Sequence, residues 1–119
     1  MGWVKGFYTR QYKLVRSPTV WATFSPDNLP NRAKGRPAAV ERIAGPEPKC
    51  VLELGCGGGV ISLAIALLGN SVVAVDIVDD AIASARRFAS QVGDESLKVI
   101  QGDFYEVDFT EKFDVNLLL

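Results

Sequence analysis

A glycine-rich run and an aspartate downstream of it carry the clearest chemical signal in the sequence. The run Gly55-Cys56-Gly57-Gly58-Gly59 follows a short apolar segment, and Asp76 ends the next apolar segment, 21 residues after Gly55. Glycine lets the backbone approach a ligand closely, and N–H groups at the start of a following helix face that ligand. An aspartate at the end of the second strand can accept two hydrogen bonds from a ribose diol. The pattern is therefore typical of a nucleotide-binding half.

Two details favour S-adenosylmethionine over a nicotinamide dinucleotide as the ribose-bearing ligand. The dinucleotide fingerprint needs glycine at its first, third and sixth positions, and here the sixth position is Val60. Glu53 stands two residues before the first glycine. Its carboxylate would repel a pyrophosphate, but it suits the methionyl ammonium and, less directly, the sulfonium. A solvated strand-end role is the alternative for Glu53, and the leucines on both sides of it disfavour that role.

Alternating strands and helices are predicted to position these residues. The predicted strands are residues 50–54, 71–76, 97–101 and 113–119, and the predicted helices are residues 60–68 and 79–91. The strands are continuous apolar runs, which indicates a parallel sheet covered on both faces. The last strand reads as buried on both faces as well, although it would form the edge of a four-stranded sheet, so we expect a truncated domain. The predicted fold class is α/β.

Four segments, in order, resemble the motifs of the class I S-adenosylmethionine-dependent methyltransferases. Residues 51–59 resemble motif I, residues 72–77 the second motif, residues 98–104 the third, and residues 113–115 the start of the fourth strand. The resemblance covers residues 40–119. It implies a Rossmann-like parallel sheet of strand order 3-2-1-4 and an incomplete S-adenosylmethionine-binding domain over residues 46–119. No substrate-level subfamily is implied.

The resemblance also implies a set of cofactor-binding residues, namely Glu53, Gly55, Cys56, Gly57, Gly59, Asp76, Ile77, Asp103 and Phe104. The backbone of the glycine-rich run would contact the methionyl part, and Glu53 would hold its amino group, directly or through water. Asp76 would bind the ribose hydroxyls, and Ile77 would pack on the adenine face. Asp103 would accept from the adenine amino group, and the backbone N–H of Phe104 would donate to the ring. The alternatives are an Asx turn at Asp103 and an ordinary core position for Phe104.

Several kinds of chemistry are disfavoured by residue content. The chain has no histidine, which removes Ser/His and Cys/His catalysis and most zinc sites, so no metal site is predicted. No general base that could activate Cys56 is identified, so this residue is interpreted as a small apolar side chain that fills space in the loop. Cys50 and Cys56 flank a predicted strand, too far apart for a disulfide, and both are expected to be reduced. No apolar run reaches the length of a membrane span, and the cytoplasm is the predicted location.

The N-terminal 45 residues differ from the rest in charge and composition. Eight basic and two acidic residues give them a charge of +6, against −7 for residues 46–119. Positions 3, 7, 8 and 12 are aromatic and share one helical face, namely Trp3, Phe7, Tyr8 and Tyr12. We expect residues 1–45 to form a helical lid, with a second short helix over residues 37–44. The alternative is a basic arm that binds nucleic acid.

The sequence therefore predicts a methyltransferase that transfers a methyl group from S-adenosylmethionine to a small-molecule acceptor. No catalytic residue is assigned, because no secure general base is present. One alternative is a non-catalytic cofactor-binding or interaction module. A less favoured one is a NAD(P)-dependent oxidoreductase. A membrane partner is not expected, and a nucleic-acid acceptor remains compatible with the basic N-terminal segment.

Overall fold

A computed structural model describes residues 5–7, 9–10, 35, 37–38, 40, 45–93 and 95–118. Six elements follow one another from residue 50 onward. They are strand β1 (Cys50–Leu54), helix α1 (Val60–Leu67), strand β2 (Ser71–Asp76), helix α2 (Asp79–Val92), strand β3 (Leu97–Gln101) and strand β4 (Val115–Leu118). No helix within these described ranges is long and apolar enough to cross a membrane.

The four strands form one parallel sheet in the order β3-β2-β1-β4. Val51 of β1 lies opposite Val72 of β2 on one side and Val115 of β4 on the other. The predicted Rossmann-like sheet of order 3-2-1-4 is therefore confirmed. Because all the strands run in one direction, the segments that follow β1, β2 and β3 meet at a single edge of the sheet. We call this edge the carboxyl edge.

The two faces of the sheet are covered differently. Helices α1 and α2 pack on one face, where Leu63 and Ile65 of α1 and Ala85 of α2 are fully buried. Full burial of a leucine or isoleucine side chain contributes about 1.5–3 kcal/mol. On the opposite face, the buried residues Leu52, Val73 and Val75 are covered by apolar side chains of the segment after β3, namely Phe104, Val107, Phe109 and Phe113. Both faces are thus covered, the second by an aromatic loop within the described part of the chain.

Strand β4 lies at the edge of the sheet, as the predicted strand order implies, and is only partly buried. Val115 is buried, but Leu118 is 68% exposed. β4 has a single neighbouring strand, β1; Val115 and Leu117 pack with the core on the helical face of the sheet, whereas Asn116 and Leu118 are exposed. The strand also begins two residues later than predicted. Phe113 packs on the second face instead, and the Oδ2 of Asp114 accepts a hydrogen bond of 2.8 Å from the backbone N–H of Cys50.

The N-terminal prediction can be compared with the structure at few positions. Residues 5–7 and 9–10 are helical, as the aromatic spacing predicts, and so are residues 35, 37–38 and 40. Val40 is buried against the core beside α1. Trp3, Tyr8 and Tyr12 lie outside the described residues, as do residues 41–44 of the predicted second helix.

Candidate functional site

The glycine-rich loop between β1 and α1 depends on backbone conformations that favour glycine. Gly55, Gly57 and Gly59 have φ values of +75°, +56° and +85°, which lie in the left-handed region. A Cβ atom on Gly59 would lie 2.8 Å from the Cβ of Ala85, so the loop approaches α2 too closely for any side chain there. A Cβ on Gly55 would meet nothing within 4 Å. The loop is thus packed against α2 at one end and borders open space at the other.

Asp76 joins the end of β2 to the glycine-rich loop. Its Oδ2 accepts a hydrogen bond of 2.8 Å from the N–H of Gly57, and its Oδ1 accepts bonds of 2.7 and 3.0 Å from the N–H groups of Ile77 and Val78. A carboxylate that accepts backbone N–H groups forms strong, charge-assisted bonds. Three of the residues predicted from the sequence, Asp76, Gly57 and Ile77, are therefore brought together at the carboxyl edge.

The amide groups at the start of the loop already donate within the chain. The N–H groups of Gly55 and Cys56 both donate to the carbonyl oxygen of Val75, at 2.8 and 3.0 Å, and that of Gly57 donates to Asp76. The predicted backbone contacts to a ligand must therefore use other backbone atoms of the loop or exchange one of these bonds. If a ribose diol binds Asp76 as the sequence predicts, it would compete for this bond, because both would use the same carboxylate.

Glu53 lies in β1, two residues before the loop, and is fully buried, with 0% of its surface exposed. Its Oε1 accepts a hydrogen bond of 2.6 Å from the Oγ of Ser62, which is also fully buried. A solvated strand-end role for Glu53 is thus excluded. The sequence reasoning missed Ser62, although there was a signal for it: this serine is the sole polar residue of α1.

Cys56 lies inside the loop as a protonated thiol. It is 4% exposed, and its Sγ donates to the carbonyl oxygen of Gly57 at 3.4 Å. Burial, followed by the negative charges of Asp76 and Glu53, raises the pKa of the Cys56 thiol well above its usual range. A thiol held in this form is a poor nucleophile, which agrees with its interpretation as a filler. Cys50 and Cys56 are both unbridged, as predicted.

The segment after β3 reaches the same edge of the sheet. The N–H of Gly102 donates to the carbonyl oxygen of Asp76 at 2.9 Å. Asp103 accepts from the N–H of Tyr105 through its Oδ1 at 2.9 Å, which is the Asx-turn geometry. The half-buried Phe104 packs over the second face of the sheet. Both residues thus have structural roles, and their contacts with adenine remain predictions.

One described part of the N-terminal segment contacts this edge. The Nζ of Lys5 lies 2.9 Å from the Oδ1 of Asp79, at the start of α2. The same oxygen accepts a bond of 2.6 Å from the Nε2 of Gln101. The bond from Lys5, followed by that from Gln101, lowers the pKa of the Asp79 carboxyl. The N-terminal segment, the end of β3 and the start of α2 therefore meet at Asp79, two residues after Ile77.

Comparison with known proteins assigns the family. Residues 47–118 match the family model described as "Methyltransferase domain", which is more than half of the chain. The chain belongs to this methyltransferase family. The prediction of a class I S-adenosylmethionine-dependent methyltransferase is thereby confirmed, and the NAD(P)-dependent oxidoreductase is disfavoured.

Relatives of known sequence and structure agree with this family. The chain is 41% identical over 69 residues to the mitochondrial ubiquinone biosynthesis O-methyltransferase of Schizosaccharomyces pombe. This match covers 56% of the chain and 25% of that protein. It is 37% identical over 67 residues to the cypemycin N-terminal methyltransferase of a Streptomyces species, covering 56% of the chain and 26% of that protein. The chain thus spans about a quarter of the length of these two relatives.

A solved methyltransferase supports the same cofactor. Trypanosoma brucei PRMT1, in an enzyme–prozyme complex with AdoHcy, has a TM-score of 0.62 and 31% sequence identity. The match covers 74% of this chain and 28% of that one. AdoHcy is the product that S-adenosylmethionine becomes after methyl transfer. The methyltransferase family of this chain is therefore an S-adenosylmethionine-using family, as the sequence predicted.

Proposed function

We propose that this chain binds S-adenosylmethionine at the carboxyl edge of β1, β2 and β3, and that the protein transfers its methyl group to a small-molecule acceptor. The observation that carries the proposal is the bond between Asp76 and Gly57, which joins the acid after β2 to the glycine-rich loop of a methyltransferase domain. When bound, S-adenosylmethionine supplies a methyl group already activated by its sulfonium. The protein then contributes mainly proximity and orientation.

Each end of the cofactor has residues suited to it. The half-exposed carboxylate of Asp76 is the acceptor for the ribose hydroxyls, and the half-exposed Ile77 offers an apolar surface for adenine. Asp103 and the backbone of Phe104 are the partners for the adenine amino group and ring. Glu53 supplies a buried carboxyl beside the loop, and the cationic methionyl end of the cofactor would favour its ionised form. These assignments rest on the resemblance together with the positions described above.

Titration calorimetry with S-adenosylmethionine and with AdoHcy tests the binding proposal. We expect both to bind one site, and binding of neither would refute the proposal. A second measurement, turnover on a panel of acceptors, separates an enzyme from a non-catalytic cofactor-binding module. Binding without turnover on any acceptor would favour the module for this chain.

The acceptor is the least constrained part of the proposal. The relatives named above differ in the acceptor that their names indicate: one is an O-methyltransferase of ubiquinone biosynthesis, and the other is a cypemycin N-terminal methyltransferase. The 41% identity to the ubiquinone biosynthesis O-methyltransferase is consistent with a small-molecule acceptor. An acceptor panel with phenols, amines and short peptides addresses this choice directly. A cytoplasmic location stays a prediction from the sequence.

We also propose that the N-terminal segment is a lid over the cofactor site. The contact of Lys5 with Asp79 supports this, because Asp79 begins the helix that follows Asp76 and Ile77. A lid excludes water from the site, and S-adenosylmethionine should then protect residues 1–20 from protease. Lys5→Met should weaken that protection, whereas Arg10→Met, which removes an exposed cation from the same helical stretch, should not.

Salt and pH provide a further test of the lid contact. The ion pair is exposed, so added salt should loosen it. Because the pKa of Asp79 is lowered from 3.8, the contact should persist at neutral pH and be lost only as the pH falls through the lowered value. A nucleic-acid-binding arm predicts a different result: RNA or DNA binding that falls steeply with salt and is lost on deletion of residues 1–20, with cofactor affinity unchanged.

A further inference from the structure

We infer that Ser62 is a positioning residue, which holds the Glu53 carboxylate in place for the amino-acid end of the cofactor. The inference rests on the proposed function and adds a residue that the sequence motifs do not include. Ser62 is the third residue of α1, and Glu53 lies in β1 on the other side of the glycine-rich loop. Their side chains meet in a hydrogen bond of 2.6 Å between two fully buried groups.

The composition of α1 indicates that the hydroxyl is there for the carboxylate. The helix has the sequence VISLAIAL, and all of its residues except Ser62 are apolar. A serine in a buried helix is a weaker helix former than alanine, and burial of its hydroxyl costs free energy unless a partner is present. Such hydroxyls often bond back to their own helix backbone. Here the hydroxyl donates to Glu53, an acceptor nine residues away, and so joins α1 to β1.

The start of α1 also suits a negative charge. A helix N-terminus carries a partial positive charge, which acidic residues of the first turn commonly balance. α1 has no acidic residue in its first turn. The Glu53 carboxyl bonds to Ser62, which belongs to that first turn, so an ionised Glu53 would lie where the partial positive charge favours it. A desolvated charge acts more strongly on its surroundings than an exposed one.

The Glu53 carboxyl lies close enough to the glycine-rich loop to act on a group within it. Together with Asp76, it raises the pKa of the Cys56 thiol, which lies within the loop. The same negative charge would attract the methionyl ammonium of a cofactor bound over the loop. Without the bond from Ser62, one of the contacts that fix the carboxylate would be lost, and part of the binding energy would be spent on holding it in place.

Two ligands that differ in one part separate this role from a purely structural one. AdoHcy carries the amino-acid group, whereas 5′-methylthioadenosine has the same adenosine and thioether but lacks that group. We expect Ser62→Ala to weaken binding of AdoHcy about tenfold, a typical effect of a hydrogen bond to a charged group, and to leave binding of 5′-methylthioadenosine unchanged. Calorimetry on the full chain measures both.

Ser84 provides a matched control. Its hydroxyl donates to the carbonyl oxygen of Gly58 at 2.9 Å, so it contacts the same loop through a neutral partner. Ser84→Ala should therefore affect the two ligands equally. In a double-mutant cycle, Ser62→Ala should cost little further affinity for AdoHcy once Glu53→Gln is present, because Ser62 acts through that carboxylate. If Ser62→Ala fails to fold, Ser62→Cys keeps a donor at this position, although the thiol is a weaker donor and slightly larger than the hydroxyl.

The outcomes are distinct. Selective loss of AdoHcy that disappears in the Glu53→Gln background supports the positioning role. Equal loss of both ligands, or an undiminished loss in that background, overturns it and leaves the proposed function intact. An unaltered chain that binds neither ligand overturns the proposed function and the positioning role with it.

Discussion

Replacing Asp76 tests the ribose assignment and the loop at the same time. Its carboxylate accepts three backbone N–H groups, those of Gly57, Ile77 and Val78. A carboxylate has about four lone-pair positions, so we expect a ribose diol to displace one of these amides. The bond to Gly57 is the one that belongs to the ligand-facing loop. Asp76→Ala should therefore remove the ribose contact and also release the loop.

The magnitude follows from the number and type of bonds. A hydrogen bond to a charged group contributes ~1.5–3 kcal/mol, so loss of the ribose contact should weaken S-adenosylmethionine by about 2–3 kcal/mol, or roughly 30- to 150-fold in Kd. Asp76 is half-buried, so water can replace part of what the three amides lose. We expect the free energy of unfolding of Asp76→Ala to fall by about 1–3 kcal/mol.

Two further variants separate the binding effect from the folding effect. Asp76→Asn keeps one acceptor oxygen for Ile77 and Val78 but loses the charge, so it should retain more stability than Asp76→Ala while still weakening the cofactor. Asp80→Asn removes a neighbouring exposed charge from the start of α2 and serves as the control. Calorimetry gives the affinities, and denaturant unfolding gives the stabilities. Unchanged cofactor affinity in a folded Asp76→Ala chain would refute the ribose assignment.

Three more outcomes follow from the loop and its surroundings. Glu53→Gln should weaken S-adenosylmethionine more than adenosine, which lacks the ammonium group, in calorimetry; equal losses would mean that Glu53 acts through the fold. Gly59→Ala should destabilise the chain by more than the ~1–2 kcal/mol that a left-handed φ costs, because its Cβ would meet α2 at 2.8 Å, whereas Gly55→Ala should cost about that amount alone. Denaturant unfolding compares the two variants, and equal losses would contradict the packing argument. The raised pKa keeps Cys56 protonated, so alkylation of the folded chain at about pH 8 should label Cys50 only, as read by mass spectrometry of peptides.

The sequence predicted most of the sheet because its strands are continuous apolar runs and glycines mark several of the turns between strands and helices. β1, β2 and β3 begin and end at the predicted residues, and α1 and α2 differ from the prediction by one residue at their C-terminal ends. Strand order came from the resemblance and is confirmed. The apolar sequence of β4 suits a strand buried on both faces, whereas the predicted strand order puts it at the edge of this four-stranded sheet, and the structure has it at the edge. Leu118 shows the difference, with 68% of its surface exposed.

The contacts within the site could not be read from the sequence, because they depend on register and loop geometry. Spacing identified Glu53 as an unusual residue in an apolar strand, but it could not show that Ser62, nine positions later, reaches it. Similarly, the position of Asp76 at the end of a strand is a sequence feature, whereas its bond to Gly57 requires β1 and β2 to be paired neighbours. Gln101 was missed for the same reason, since its contact with Asp79 joins the end of β3 to the start of α2.

Two carboxylates on either side of one loop explain why the site should prefer a cation. Asp76 and Glu53 both raise the pKa of Cys56, so the two negative charges act on the same small volume. Two carboxylates beside one loop repel each other when both are ionised, and hydrogen bonds from Gly57 to Asp76 and from Ser62 to Glu53 limit that cost. A cationic ligand over the loop would offset part of the remaining repulsion. Binding of S-adenosylmethionine should then stabilise the folded chain more than adenosine at the same concentration, since the gain in folding free energy grows with affinity for the native state.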